Sequence, residues 1–242
     1  MKRLLVGPQA VSEGLRSAPA QISVVYLARG ASAEVASLAR QRNVAIQERS
    51  SDELEAFADG TRHDGVIGIA GEYPYASLDD LLDRAGTSPL FVALDQIQDP
   101  HNFGAIVRSA VAFGAAGIIT LKDRAAPVTP VVVRASAGAT ERARIARVTN
   151  LARTLAELRE REIEIVGLAA DGPVELGALP YPAAGRVLVI GSEGDGLRRL
   201  VREGCDQLAR IPMLGAMESL NASVAAGIAL YECVRMRETQ PR

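Results

Sequence analysis

Three short segments of this chain gather residue types that reactive centres use. The first, Asp95-Gln-Ile-Gln-Asp-Pro-His-Asn-Phe-Gly104, carries the amide of Asn102 and is followed by the guanidinium of Arg108. The second, Gly191-Ser-Glu-Gly-Asp-Gly196, sets the carboxylate of Glu193 among glycines. The third, Pro212-Met-Leu-Gly-Ala-Met-Glu-Ser-Leu-Asn221, closes on Ser219 and Asn221. An arginine can grip a phosphate through two parallel hydrogen bonds, which a lysine cannot copy. Glycines let backbone come close to a ligand. Each residue also has a plain structural use. Asn102, Ser219 and Asn221 are all side chains that cap helix starts, and Arg108 can be a surface arginine.

The spacing excludes several chemistries. The glycine segment lacks the closing Gly-Lys-Ser/Thr of a phosphate-binding loop, and it does not have the Gly-x-Gly-x-x-Gly order of a dinucleotide fold. The acidic strand end followed by Gly-x-Gly of common methyltransferases is missing too. Cys205 and Cys233 match no metal spacing and read as buried thiols. The two histidines, His63 and His101, read as structural, and neither is assigned as a base.

Positioning these segments requires a scaffold. Apolar runs at 90–94, 117–121, 163–168, 186–190 and 207–211, with a further strand at 144–148, predict buried strands. Helical patterns fall between them at 105–113, 130–137 and 151–161. Uninterrupted apolar strands separated by helices imply a parallel sheet covered on both faces. All three segments then leave strands at the carboxyl edge, where such sheets bind ligands. Glu193 is expected at the start of a helix, where an anion is favoured. Beyond Asn221, the residues Leu220, Val224, Ile228 and Tyr231 recur at helical spacing and read as a core-facing stripe.

Upstream, residues 1–71 alternate between shorter helices (8–16, 33–41, 52–57) and strands (22–27, 44–47, 65–70), a small α/β domain. Residues 72–89 read as a linker around a short helix at 78–84, and 90–242 as the second domain. The net charge of −2 does not favour nucleic acid in bulk. Any RNA contact would need a local patch, and the arginines at 134, 142, 144, 147, 153, 159 and 161 are the candidate, with a solvated helix face as the alternative. No apolar run approaches the roughly 18 residues of a membrane span, and the N-terminus does not resemble a signal peptide. A cytoplasmic protein is expected.

The segments "DPHNFGAIVRSA", "LVIGSEGDGL" and "IPMLGAMESLNASVAAGIALYE" resemble the three motifs of the SpoU-type branch of the SPOUT RNA methyltransferases, in order, spacing and placement. "LVGPQAVSEGL" and "RHDGVIGIA" in residues 1–71 look like the ribosomal-protein-L30e-like RNA-binding domain found in front of many of these enzymes. The resemblance implies an α/β fold in which the C-terminal segment of a parallel-sheet SPOUT domain threads a deep trefoil knot. It implies S-adenosylmethionine held at Gly191, Ile211 and Leu220, and a catalytic group of Asn102, Arg108, Glu193, Ser219 and Asn221. The reaction implied is methylation of a ribose 2′-hydroxyl, of a guanosine in 23S rRNA, by a homodimer. No metal is required, because a sulfonium already activates the methyl carbon. Two other readings fit: a tRNA 2′-O-methyltransferase, and an inactive member that only binds RNA.

Overall fold

The computed structural model describes every residue except Met1, Asp59, Ala216, Glu218 and residues 240–242. Ala216 and Glu218 of the third motif therefore lie outside the described residues. The chain divides into two compact units, each described on its own.

The first unit comprises Met1–Pro74, Phe103–Arg108 and Pro127–Ala143. Its elements run β1 (Arg3–Val6), α1 (Pro8–Ser17), β2 (Ile22–Leu27), α2 (Ala33–Gln41), β3 (Ala45–Glu48), α3 (Ser51–Ala58) and β4 (Val66–Ala70). The strands form one mixed sheet in the order β1-β4-β2-β3, with only β2 and β3 parallel. Leu5, Val11, Leu15, Val25, Val35 and Val66 make the core beneath α1 and α2. Leu54 and Ala58 of α3 cover Val6, Ile67 and Ile69 on the other face. Strand β1 had no strand reading in the sequence. Four residues are too few for an alternation to show, and the strand exists because β4 pairs with it.

The second unit comprises Tyr75–Asn102, Ser109–Ala126 and Arg144–Arg242. The elements from residue 75 onward are α4 (Leu78–Asp83), β5 (Leu90–Asp95), α5 (Pro100–Ala112), β6 (Gly117–Leu121), α6 (Pro130–Ala135), β7 (Ile145–Val148), α7 (Leu151–Arg159), β8 (Glu164–Leu168), β9 (Val174–Glu175), β10 (Arg186–Gly191), α8 (Arg199–Glu203), β11 (Gln207–Arg210) and α9 (Ala222–Thr239). The division assigns α6 to the first unit, where Val133 joins the Leu5–Val35 core, and it splits α5 between the two units.

The seven strands β7-β6-β5-β10-β8-β11-β9 form a wholly parallel sheet. The fold is α/β, as expected. Every residue of β5 is buried, as a strand covered on both faces requires. Helix α7 shows how one covering helix is built. Asn150 caps it by accepting from the Arg153 N–H at 3.1 Å, and Leu151, Leu155 and Leu158 are fully buried against Phe91, Ile119 and Val189. Each such leucine contributes about 1.5–3 kcal/mol of burial.

Two expectations need correction. Helix α5 begins at Pro100, five residues before the sequence placed it, and its cap is Asp99, which accepts from the Asn102 N–H at 2.9 Å. Asn102 is therefore inside the helix and does not cap it. The second correction concerns α9. Val224, Ile228 and Tyr231 are 49%, 42% and 56% exposed, so their stripe does not face the core. The buried side is Ala222, Ala226, Ala229, Leu230 and Cys233. The alanines let the helix axis lie close to the sheet, while Val224, Ile228 and Tyr231 are left on the outer face.

Candidate functional site

Sheet order places β5 beside β10, with β6 and β7 to one side and β8 and β11 to the other. This reversal is the place where parallel sheets open a crevice for ligands. Gly191 at the end of β10 lies in register with Asp95 at the end of β5, so the first and second motif segments leave the sheet side by side.

Asp95 anchors both. It is fully buried, and its carboxylate accepts from the Arg198 backbone N–H at 2.9 Å and from the Arg198 Nε at 2.7 Å. A buried carboxylate needs such partners to offset its lost hydration. The next residue, Gln96, adopts a positive φ of 61°, uncommon for a residue other than glycine. Sequence reasoning missed the Asp95–Arg198 pair. The available signal was a carboxylate closing an otherwise apolar strand.

Between Gly191 and Arg198 the chain folds back on itself. Ser192 and Gly196 exchange backbone hydrogen bonds at 3.2 and 3.1 Å, and Gly194 and Gly196 take left-handed φ values of 87° and 65°. A Cβ on Gly191 would sit 2.2 Å from the Gly196 carbonyl carbon, so only glycine fits there. Glu193 rides on this tight hairpin. Helix α8 starts only at Arg199, so Glu193 is not at its N-terminus as expected.

Three of the expected residues meet here. The Asn102 Nδ2 donates to Glu193 Oε1 at 2.7 Å, and the Asn221 Nδ2 donates to the same oxygen at 2.6 Å. The Asn221 Nδ2 also donates to Asn102 Oδ1 at 3.0 Å. Asn221 has a second use. Its Oδ1 accepts from the N–H groups of Ser223 and Val224 at 2.9 and 3.3 Å, which caps α9. Ser219 does not share that capping role. The carboxylate of Glu193 thus lies against the first turns of both α5 and α9, where the helix dipoles favour an anion.

Beside this triangle a cleft of about 570 Å³ opens over the carboxyl ends of β8, β10 and β11. Gly191, Glu193, Ile211, Ser219, Leu220 and Asn221 all line it. Its volume lies within the range of small-molecule sites. Leu168, Ile190 and Ala225 add apolar wall, and Asp171 and Asp195 add carboxylates. The backbone N–H and C=O groups of Ile211, Met213 and Leu220 have no hydrogen-bond partner among the described residues. Asp171 is clasped by Arg202 through two bonds of 3.0 and 2.8 Å, and that guanidinium holds its carboxyl below the usual range.

Arg108 takes part in none of these bonds among the described residues. It is exposed on α5 and has no hydrogen bond or ion pair among the described residues. The arginines of the expected patch each have a partner. Arg134 pairs with Asp64, Arg142 with Glu13, Arg153 with Glu157, Arg159 with Asp206 and Arg161 with Asp79, while Arg144 and Arg147 donate to backbone carbonyls. His63 is buried and accepts from the Gly65 N–H at 3.0 Å, while His101 is exposed in the first turn of α5. Among the described residues no group of three or more His, Cys, Asp or Glu could hold a metal ion, and no helix is long and apolar enough to cross a membrane. Burial pushes the Cys205 thiol up to about 12, and Cys233 is also raised.

Two family models match the chain. The family model described as SpoU rRNA Methylase family matches residues 89–231. A second, described as RNA 2′-O ribose methyltransferase substrate binding, matches residues 4–76. A Bacillus subtilis (strain 168) protein named as a TrmH-family tRNA/rRNA methyltransferase, YacO, is 42% identical over 96% of this chain and 95% of its own. The 23S rRNA (guanosine-2′-O-)-methyltransferase RlmB of Pseudomonas syringae pv. tomato is 39% identical over 98% of this chain and 96% of its own. Among solved structures, the SpoU methyltransferase AviRb of Streptomyces viridochromogenes, in complex with AdoMet, superposes with a TM-score of 0.85 at 28% identity, covering 99% of this chain and 92% of its own.

Proposed function

The chain belongs to the SpoU rRNA methylase family, and on that premise we propose that it methylates the ribose 2′-hydroxyl of a guanosine in 23S rRNA. It is an RNA methyltransferase, and S-adenosylmethionine is its methyl donor. The likeness to RlmB supports the guanosine and 23S part of this reading, and the observation that carries the catalytic part is the bonded triangle of Asn102, Glu193 and Asn221 at the mouth of the cleft.

The cleft suits this cofactor on its own chemistry. Apolar walls from Ile190, Ile211 and Leu220 accept a flat ring, and the unpartnered backbone groups of Ile211, Met213 and Leu220 can read its polar edges. Carboxylates at Glu193 and Asp195 face a ligand that carries positive charge, while Asp171 is paired with Arg202. When bound, S-adenosylmethionine supplies a methyl group already activated by its sulfonium. The protein's task is then alignment, which supplies up to ~7–11 kcal/mol in favourable intramolecular cases. Gly191 keeps the hairpin tight enough to fix the cleft wall. Glu193 orients the two asparagine amides, and Ser219 offers a hydroxyl on the same rim. Arg108 grips the phosphate next to the target ribose and lowers the hydroxyl pKa electrostatically, while another group or water takes the proton.

The protein acts in the cytoplasm as a homodimer. The exposed stripe of Val224, Ile228 and Tyr231 supports this, since a contiguous apolar patch marks an interaction surface. The test is to incubate the protein with S-adenosylmethionine and rRNA, then map ribose methylation. Methyl transfer to tRNA alone would replace the rRNA reading. A protein that binds RNA without binding the cofactor would be an inactive member.

A further inference from the structure

We propose that an open groove at the β6–β7 flank of the sheet docks the single-stranded RNA that adjoins the target nucleotide. This rests on the reading of the chain as an RNA methyltransferase, but uses residues outside its cleft.

The groove holds about 890 Å³ above the carboxyl ends of β6 and β7. Lys122 lines it from the turn after β6, Arg147 from β7, Asn150 and Arg153 from the start of α7, and Tyr75 from the segment before α4. The Arg147 guanidinium lies 5.0 Å from the centroid of the Tyr75 ring and donates to the Lys122 carbonyl. That second contact fixes its plane, which leaves a flat cationic surface of the kind on which bases stack. Lys122 is exposed, and its ammonium has no partner among the described residues. Arg153 is 80% exposed and paired only with exposed Glu157 four residues on, a pair worth little in water. Asp123 and Glu157 are the acidic residues of the lining, so cations prevail there although the whole chain is net negative.

Position gives the groove its role. It opens on the same edge of the same sheet as the Asn102 segment. Strand order β7-β6-β5 sets the end of β7 two strands from the end of β5, or roughly 10 Å at ~4.8 Å per strand. About three stacked nucleotides span that distance at ~3.4 Å each. The lining mixes charged and polar side chains with apolar surface from Ala76, Leu78 and Val148, and the groove is open rather than enclosed. Both features suit a charged strand passing through and do not suit an enclosed small molecule.

The test uses the full chain and a fluorescently labelled single-stranded 23S rRNA fragment, with binding measured across a series of salt concentrations. The double variant Lys122→Ala/Arg153→Ala is compared with Arg161→Ala, which removes an exposed charge beyond the far end of α7. The expected result is roughly tenfold weaker RNA binding for the double variant and a log affinity–log salt slope shallower by about 1.4, the equivalent of two phosphate contacts. Arg161→Ala should match wild type, and S-adenosylmethionine affinity should be unchanged in all three. Unaltered affinity and slope in the double variant overturn the proposal, as does an equal loss in Arg161→Ala. A wild-type protein that binds the fragment but transfers no methyl group overturns the functional reading instead, and leaves the groove to the binding contrast.

Discussion

The amide of Asn102 donates to the carboxylate of Glu193 at 2.7 Å, across 91 residues of chain. Asn221 closes the figure from a third segment. Glu193→Gln keeps an oxygen to accept both bonds but removes the charge. We expect kcat to fall by about 10²–10³, the scale for losing one preorganised electrostatic group. Tm should stay within ~3 °C of wild type, because the residue is exposed. Unchanged turnover would remove Glu193 from the catalytic group.

Gly191 tests the cleft wall. In Gly191→Ala the new methyl would meet the Gly196 backbone at 2.2 Å, so the hairpin must move. S-adenosylmethionine binding, measured by calorimetry, should weaken at least ~10-fold, equal to about 1.4 kcal/mol. Wild-type affinity would mean that the hairpin does not border the cofactor.

Arg108 separates catalysis from stability. Because it is exposed and unpartnered among the described residues, Arg108→Ala should leave Tm and cofactor affinity unchanged while abolishing methyl transfer. Arg108→Lys should keep some turnover if charge beside the phosphate is the main effect. If Lys is as inactive as Ala while RNA still binds, then the shape of the guanidinium is required.

How much of this was legible in the sequence varied with length and burial. The bounds 22–27, 33–41 and 117–121 coincide with the elements observed, because their apolar residues fall in runs or at spacings that suit only a strand or a helix. The early start of α5 was also written in the chain, as Asp99 followed by Pro100 is a strong helix opening, but the polar residues after it hid the periodicity. Helix α9 misled for a different reason. It carries apolar residues on two faces, and spacing cannot say which face meets the sheet. The site residues could be named from motif resemblance, but the pair Asp95–Arg198 and the clasp of Asp171 by Arg202 depend on strand order, which no local pattern encodes.

The outer stripe of α9 bears on assembly. Ile228→Glu places a charge in the middle of the exposed apolar row. Light scattering should report a dimer for the wild type and a shift to monomer for the variant at the same concentration. A wild-type monomer would contradict the homodimer.

The thiols should be inert. With Cys205 pushed up to about 12 by burial, only about 1 in 10⁴ is thiolate at pH 8, against a sizeable fraction for a free cysteine of pKa ≈ 8.5. Iodoacetamide should leave Cys205 unlabelled by mass spectrometry in the native protein and label it after unfolding. The stability contributed by the protonated thiol is complete below the unfolded pKa and is lost as pH rises toward 12. Rapid native labelling would contradict the burial.

The central claim is that three separated segments build one site that delivers a methyl group to a ribose hydroxyl. It is tested most directly by incubating the protein with isotope-labelled S-adenosylmethionine and unmodified 23S rRNA, then locating the label by nuclease digestion and mass spectrometry. The account predicts label on the ribose 2′-oxygen of a guanosine, and none with Glu193→Gln in the same reaction time. Label on a base, or no label from a protein that binds both cofactor and RNA, would contradict it.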